Sequence, residues 1–194
     1  MKNRSLLMIP GPIEFDAAVL AALGAPTTSH LAPNFMDAFG QALERMRDVF
    51  MCQAGQPIVL AGSGTLAMDC AGANLVEPGD KALVVNTGYF SERFAALLAR
   101  YGAQVTQVNA AVGGRPSLAE VAAALDQQAY KLVTITHVDT STAVITDVKG
   151  IAALTRPHGA LVVVDGVCSV AGEELRMDEW GVDLALTASQ KAIG

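Results

Sequence analysis

A chain of 194 residues, 52% hydrophobic with 18 glycines and only 5% aromatic, can bury a core of its own and lacks the polar, highly charged composition of disordered chains. Its net charge of -6 disfavours nucleic acid or an anionic membrane as a partner. No apolar run approaches the roughly 18 residues of a membrane span, and three cysteines, an odd count without ligand-like spacing, predict no disulfide framework and a reducing, cytoplasmic setting.

In chain order, the opening MKNRSLLMIPGPIE is basic at first, but Pro10 and Pro12 interrupt its apolar run, which disfavours a signal peptide and predicts a stiff turn. A polar turn, TTSHLAPNF, follows; its Ser29 and His30 read as a cap and a solvent-facing ring, or as the border of a substrate entrance. FMDAFGQALERMRDVF then places Phe35, Phe39, Leu43, Met46 and Phe50 three and four residues apart, the spacing of an amphipathic helix that packs on the domain or on a partner subunit. From Ile58 the pattern alternates. Short apolar runs at 58–61, 82–86, 104–108, 132–136, 161–165 and 183–187 read as strands, and 65–75, 90–101, 118–126 and 148–155 read as helices. Ser117 followed by Glu120 has capping-box spacing. Runs such as LVTI and LVVVD are continuous, as in parallel strands covered on both faces, so the expected class is an α/β domain with an open, mostly parallel sheet. The last run ends near Ser189 with no covering helix behind it, which predicts an incomplete domain.

In such a sheet, ligands collect at the C-terminal ends of the strands. Those ends supply residues 62–65, 86–90, 137–142, Asp165 and 189–191. In LAGSGTLAMD a helix start follows Gly62 and Gly64, where backbone N–H groups and the hydroxyls of Ser63 and Thr65 suit a phosphate; the glycines also suit tight packing alone. Gly62-x-Gly64-x-x-Ala67 matches the dinucleotide fingerprint as well, but that motif needs an acid at the end of the next strand, where this chain has Asn86. Asp165 closes ALVVVD; a carboxylate there needs a partner such as a protonated ring nitrogen, or else caps the GVCS turn. Lys191 ends the last run, and Schiff-base formation with an aldehyde cofactor accounts for an amine at that place, as does a plain surface lysine. Taken together, base, ring-nitrogen partner and phosphate cradle are the requirements of pyridoxal 5'-phosphate. Tyr89 and Phe90 suit a cofactor ring or a helix anchor. His137, Asp139, Thr140 and Thr142 could hydrogen-bond a phenolate or carboxylate. His137 and Asp139 are spaced like a metal pair, but no further ligands follow, so no metal is expected. Cys70 and Cys168 read as small core residues.

MIPGPIE, TSHLAPNF, LAGSGTLAMD, NTGYFSERF, HVDTSTAV, VVVDGVCSVAG and LTASQKAIG together resemble the class V aminotransferases, in the alanine–glyoxylate and serine–glyoxylate (serine–pyruvate) group. The resemblance implies the type I pyridoxal-phosphate fold of aspartate-aminotransferase-like enzymes and a homodimer. It implies transamination between alanine or serine and a 2-oxo acid such as glyoxylate, a reaction of glyoxylate metabolism and glycine biosynthesis. It assigns Lys191 to the Schiff base and to proton transfer, and Asp165 to the pyridine nitrogen. Gly64, Thr65 and Gln190 fall at the phosphate, Phe90 on the ring face, Thr140 on the phenolic side and Gly11 near the substrate. By the same resemblance, residues 1–30 form an arm and substrate-side turn and 31–194 part of the large domain, while a small C-terminal domain is absent. The competing expectations are a truncated, non-catalytic remnant and a dinucleotide-binding oxidoreductase.

Overall fold

Apolar runs become parallel strands here because both faces of the sheet are covered. In the computed structural model, which describes residues 5–194, five strands run in the order β2-β1-β3-β6-β7. They are β1 (Lys81–Asn86), β2 (Gln104–Asn109), β3 (Leu132–Thr136), β6 (Leu161–Asp165) and β7 (Leu184–Leu186), all paired in parallel. All of β3, and all of β1 and β6 but their first residues, are buried. The first four residues of the expected N-terminal arm lie outside the described residues.

Alternate residues of each strand feed two cores. On one side Leu83, Val85, Val133, Ile135, Val162 and Val164 pack with Val121 and Leu125 of α5 (Leu118–Leu125) and Val148 and Ile151 of α6 (Val148–Thr155). On the other, Ala82, Val84, Leu132, Val163 and Leu186 pack with Met68 and Ala71 of α3 (Gly64–Leu75) and Phe94 and Leu98 of α4 (Tyr89–Arg100). Each buried Val, Leu or Phe contributes about 1.5–3 kcal/mol, so these two layers dominate the local terms.

Among those local terms, the expected capping box is formed: Ser117 Oγ accepts from Glu120 N, and the Glu120 carboxylate accepts from Ser117 N. Ser117→Ala should cost about 1 kcal/mol, seen as a lower urea midpoint at unchanged m-value.

The strand expected over 58–61 is not one. Ile58, Val59 and Leu60 are 70%, 50% and 45% exposed, and the segment joins neither sheet. A β-branched run becomes a strand only when a neighbour supplies hydrogen-bonding groups, and no strand lies alongside it. Several short elements went unforeseen, among them a 3-10 turn at Arg156–His158 and three more. These three are α1 (Ala17–Leu23), capped by the Asp16 carboxylate on Ala18 N, α7 (Met177–Trp180), and a hairpin of β4 (Val138–Asp139) with β5 (Val144–Ile145). The expected amphipathic helix is α2 (Pro33–Val49). Only its end docks: Met46 packs on the core, Phe50 just beyond it is buried, and Phe35 and Phe39, stacked at 5.9 Å, stay 39% and 40% exposed.

Candidate active site

The sheet order reverses beside β1: the chain goes from β1 outward to β2, then crosses to β3 on the other side. Ligands of open α/β sheets bind outside the strand ends at such a point. Here the C-terminal ends of β1, β3, β6 and β7 bring together residues 86–90, 137–142, 165–168 and 187–191.

Asp165 lies in register with Thr136 and Leu186, 3% exposed. Its side chain accepts one protein hydrogen bond, from Val167 N at 3.0 Å. Burial pushes its carboxyl up to about 6; the Val167 amide and the Lys191 charge pull the other way, and the Asp139 charge adds to the rise. A buried carboxylate with one donor and no bonded cation fits a group that brings a proton on nitrogen.

Lys191, partly buried, is close enough for its charge to act on Asp165. Its Nζ donates to the Pro10 carbonyl at 2.9 Å, and Ile13 N donates to the Gln190 carbonyl. The PGP turn is thereby seated on the lysine turn. Gly11, at φ +153°, permits this, because a Cβ there would lie 2.7 Å from Lys191 Cδ and Cε.

The glycine turn meets the Asp165 turn directly. A Cβ on Gly64 would stand 2.7 Å from Val167 Cγ2, so this glycine serves close packing as well as the helix start. Ser63 caps α3 by accepting from Leu66 N. The Gly64 and Thr65 amides have no protein acceptor among the described residues, leaving two donors at the positive end of a helix for an anion.

Phe90 is partly buried in the first turn of α4, with Tyr89 exposed and edge-on to it at 5.2 Å. Thr140 lies in the hairpin turn, its hydroxyl against Cys168 Sγ. Cys168 is therefore a site-edge residue and not the core residue its apolar run predicts; Cys70, too, is only partly buried.

Other polar candidates are spent elsewhere. Thr142 Oγ1 donates to Thr87 O, and Asp139 is consumed by the start of α4. His137 is buried, which pushes its pKa down and keeps it neutral, with no partner for Nδ1 among the described residues. Ser29 and His30 face solvent. Asn86 donates to Gln107 and Asn109 and accepts from Gly88 N; it leaves nothing for the ribose that a dinucleotide would present. Among the described residues, no three His, Cys, Asp or Glu side chains cluster as a metal site. The Val167 amide on Asp165 is the cap expected for the GVCS turn; Cys168, Ser141 and the Pro10 carbonyl were not singled out as site groups. The one available signal was Asp139-x-Ser141, two side chains spaced to cap a neighbouring turn.

The family model for class V aminotransferases matches residues 18–194. The chain is 47% identical to alanine–glyoxylate aminotransferase 1 of Saccharomyces cerevisiae, over 100% of this chain and 52% of that protein. It is 32% identical to serine–glyoxylate aminotransferase of Arabidopsis thaliana, over 98% and 49%. Among solved structures, alanine–glyoxylate aminotransferase from Nostoc superposes with a TM-score of 0.91 at 36% identity, covering 95% of this chain and 49% of that one. An aspartate aminotransferase from Thermus thermophilus gives 0.90 at 32%, covering 96% and 53%. The chain spans about half the length of the curated relatives it matches. With this sheet, this strand-end site and these matches, the chain belongs to the class V aminotransferases, enzymes that depend on pyridoxal phosphate.

Proposed function

We propose that this chain is the cofactor-binding part of an aminotransferase that moves an amino group from alanine or serine to glyoxylate. The observation that carries the proposal is the pairing of Asp165 and Lys191. A desolvated carboxylate and an amine held on the Pro10 carbonyl lie within electrostatic reach past adjacent strand ends, beside a helix start with two amides that have no acceptor among the described residues. The substrate class rests on the names of the alanine–glyoxylate and serine–glyoxylate relatives.

Pyridoxal phosphate, when bound, supplies an aldehyde for the substrate amine and a ring that accepts electron density from the substrate's α-carbon. Asp165 would hold the proton on the ring nitrogen. The Gly64 and Thr65 amides and the Gln190 side chain would take the phosphate, and Thr140 the phenolic oxygen. Phe90 would cover one ring face and exclude water there. The Lys191 Nζ would carry a proton between the substrate's α-carbon and the cofactor carbon. Gly11 lets the PGP turn lie directly against that side chain. Asp165 and Lys191 would thus carry the charge stabilisation and the proton transfer of this chemistry.

Residues 1–30 would act as the arm and substrate-side turn and 31–194 as the large-domain part. The open face of α2 at Phe35, Met36 and Phe39 supports a homodimer, since exposed apolar surface of this kind covers itself on a second copy. The negative charge disfavours nucleic acid, and three free thiols suit a cytoplasmic setting. Among the described residues, no helix is long and apolar enough to cross a membrane.

The test is direct. Purified protein mixed with pyridoxal phosphate should gain a visible absorbance band, and borohydride reduction followed by peptide mapping should mark Lys191. Alanine and glyoxylate should then yield pyruvate and glycine. A label on other lysines alone would overturn the reading of the site. Labelling of Lys191 without any amino transfer would favour the non-catalytic alternative.

A further inference from the structure

The start of α4 has an unusual support. Its N-cap is Gly88, which has no side chain to satisfy the first amides of the helix. The missing acceptors come from the β4–β5 hairpin, about fifty residues away in sequence. Ser141 Oγ accepts from Tyr89 N at 3.0 Å. Asp139 Oδ2 accepts from Phe90 N at 3.1 Å, Ser91 N at 3.2 Å and Ser91 Oγ at 3.4 Å. Asp139 Oδ1 accepts from Ser141 N at 2.9 Å and from Ser141 Oγ at 2.7 Å. The carboxylate is 0% exposed and engages five donors, with no salt-bridge partner among the described residues. An anion is stabilised there by the N–H groups and the helix dipole. A Cβ on Gly88 would lie 2.6 Å from Ser141 Oγ and 2.8 Å from Asp139 Cγ, so the glycine makes the approach possible.

With both oxygens committed, Asp139 has no capacity left for proton transfer. It links two segments that the proposed function places around one ring: Phe90, whose amide it accepts, and Thr140, its neighbour in sequence. We propose that Asp139 is a positioning residue, one carboxylate that fixes the height of Phe90 over the cofactor ring relative to Thr140 at the ring edge. The ring-contact part rests on the functional reading above; the tie between α4 and the hairpin does not.

Asp139→Ala separates the possibilities, because it removes the acceptor of Phe90 N, Ser91 N and Ser141 N together. Hydrogen exchange at the Phe90 and Ser91 amides should quicken roughly tenfold or more, as expected for a lost hydrogen bond to a charged group. The dissociation constant for pyridoxal phosphate should rise by about the same factor, and the circular dichroism of bound cofactor should change with it. Ser117→Ala, a cap lesion on α5, is the control and should leave both cofactor readouts unchanged. Unchanged exchange would overturn the tie. Faster exchange with an unaltered dissociation constant and dichroism would overturn the positioning role and leave a helix cap only. If the Ala variant does not fold, Ser141→Ala takes its place: it removes the acceptor of Tyr89 N, so exchange is read at that amide and the two cofactor readouts are judged as before. A wild-type chain that binds no pyridoxal phosphate would count against the functional reading, and exchange would then judge the tie alone.

Discussion

Asp165→Asn should lower amino transfer by on the order of 10²–10³-fold, the range for loss of one preorganised electrostatic partner, while making the cofactor-free chain more stable at pH 8. The two effects have the same cause. The Asp165 carboxyl is raised from 3.8 to about 6 by burial, outweighing the Val167 amide and the Lys191 charge. Below pH 3.8 both folded and unfolded chains hold the proton, and the group contributes nothing. Between about 4 and 6 the folded chain keeps a proton that the unfolded chain has released, so stability falls as pH rises. Above 6 the full cost is present, about 3 kcal/mol for a shift of about two units. Asparagine retains the acceptor for Val167 N without the charge, and should flatten the pH 4–6 slope of the denaturation midpoint. A cationic ring nitrogen would recover that cost in the holoenzyme, so the stability gain should shrink or reverse with cofactor present. If the variant is no more stable than wild type at pH 8, Asp165 is better solvated than its burial indicates and loses its standing as the ring-nitrogen partner.

Lys191→Ala should be the most damaging single change. A positioned general base is worth about 10²–10⁴-fold, and the visible absorbance on adding pyridoxal phosphate should vanish as well. A small primary amine such as ethylamine should restore part of the rate, because the substitution leaves a space of that size beside Gly11. The N-terminal turn should loosen at the same time, since the Pro10 carbonyl loses its donor. Retention of more than about a tenth of the wild-type rate would place the proton-transferring group elsewhere.

How legible all this was in the residues depends on the element. β3 and β6 were readable because strands buried on both faces read as nearly continuous apolar or β-branched runs. Asp165 could be placed at the C-terminal edge of the sheet because it ends such a run, and the Lys191 turn because it follows the last one, β7 (Leu184–Leu186). The run at 58–61 shows the limit: its composition is that of a strand, but whether a neighbour exists to pair with it is a tertiary fact. The β4–β5 hairpin, with two residues a side, is too short for periodicity to register. Cys168 was misread because an apolar run says nothing of which residue reaches the site once the strand ends. Asp139-x-Ser141 marks a local cap, but which helix start it serves was not legible, since its bonds to Phe90 and Ser91 span 49 and 48 residues.

The seating of Pro10 against Lys191, 181 residues apart, sets an order of events during synthesis. The ribosome delivers the arm early, and the amine it docks on emerges after β1, β2, β3, β6 and β7. Until Lys191 is made, that carbonyl lacks its donor, and a nascent chain that stops short of Lys191 lacks the amine on which the proposed chemistry depends. Closing so long a loop is a modest penalty, because each doubling of loop length adds only about 0.6 kcal/mol. The amine thus arrives only after these five strands have been made, with little loss of stability for the long closure.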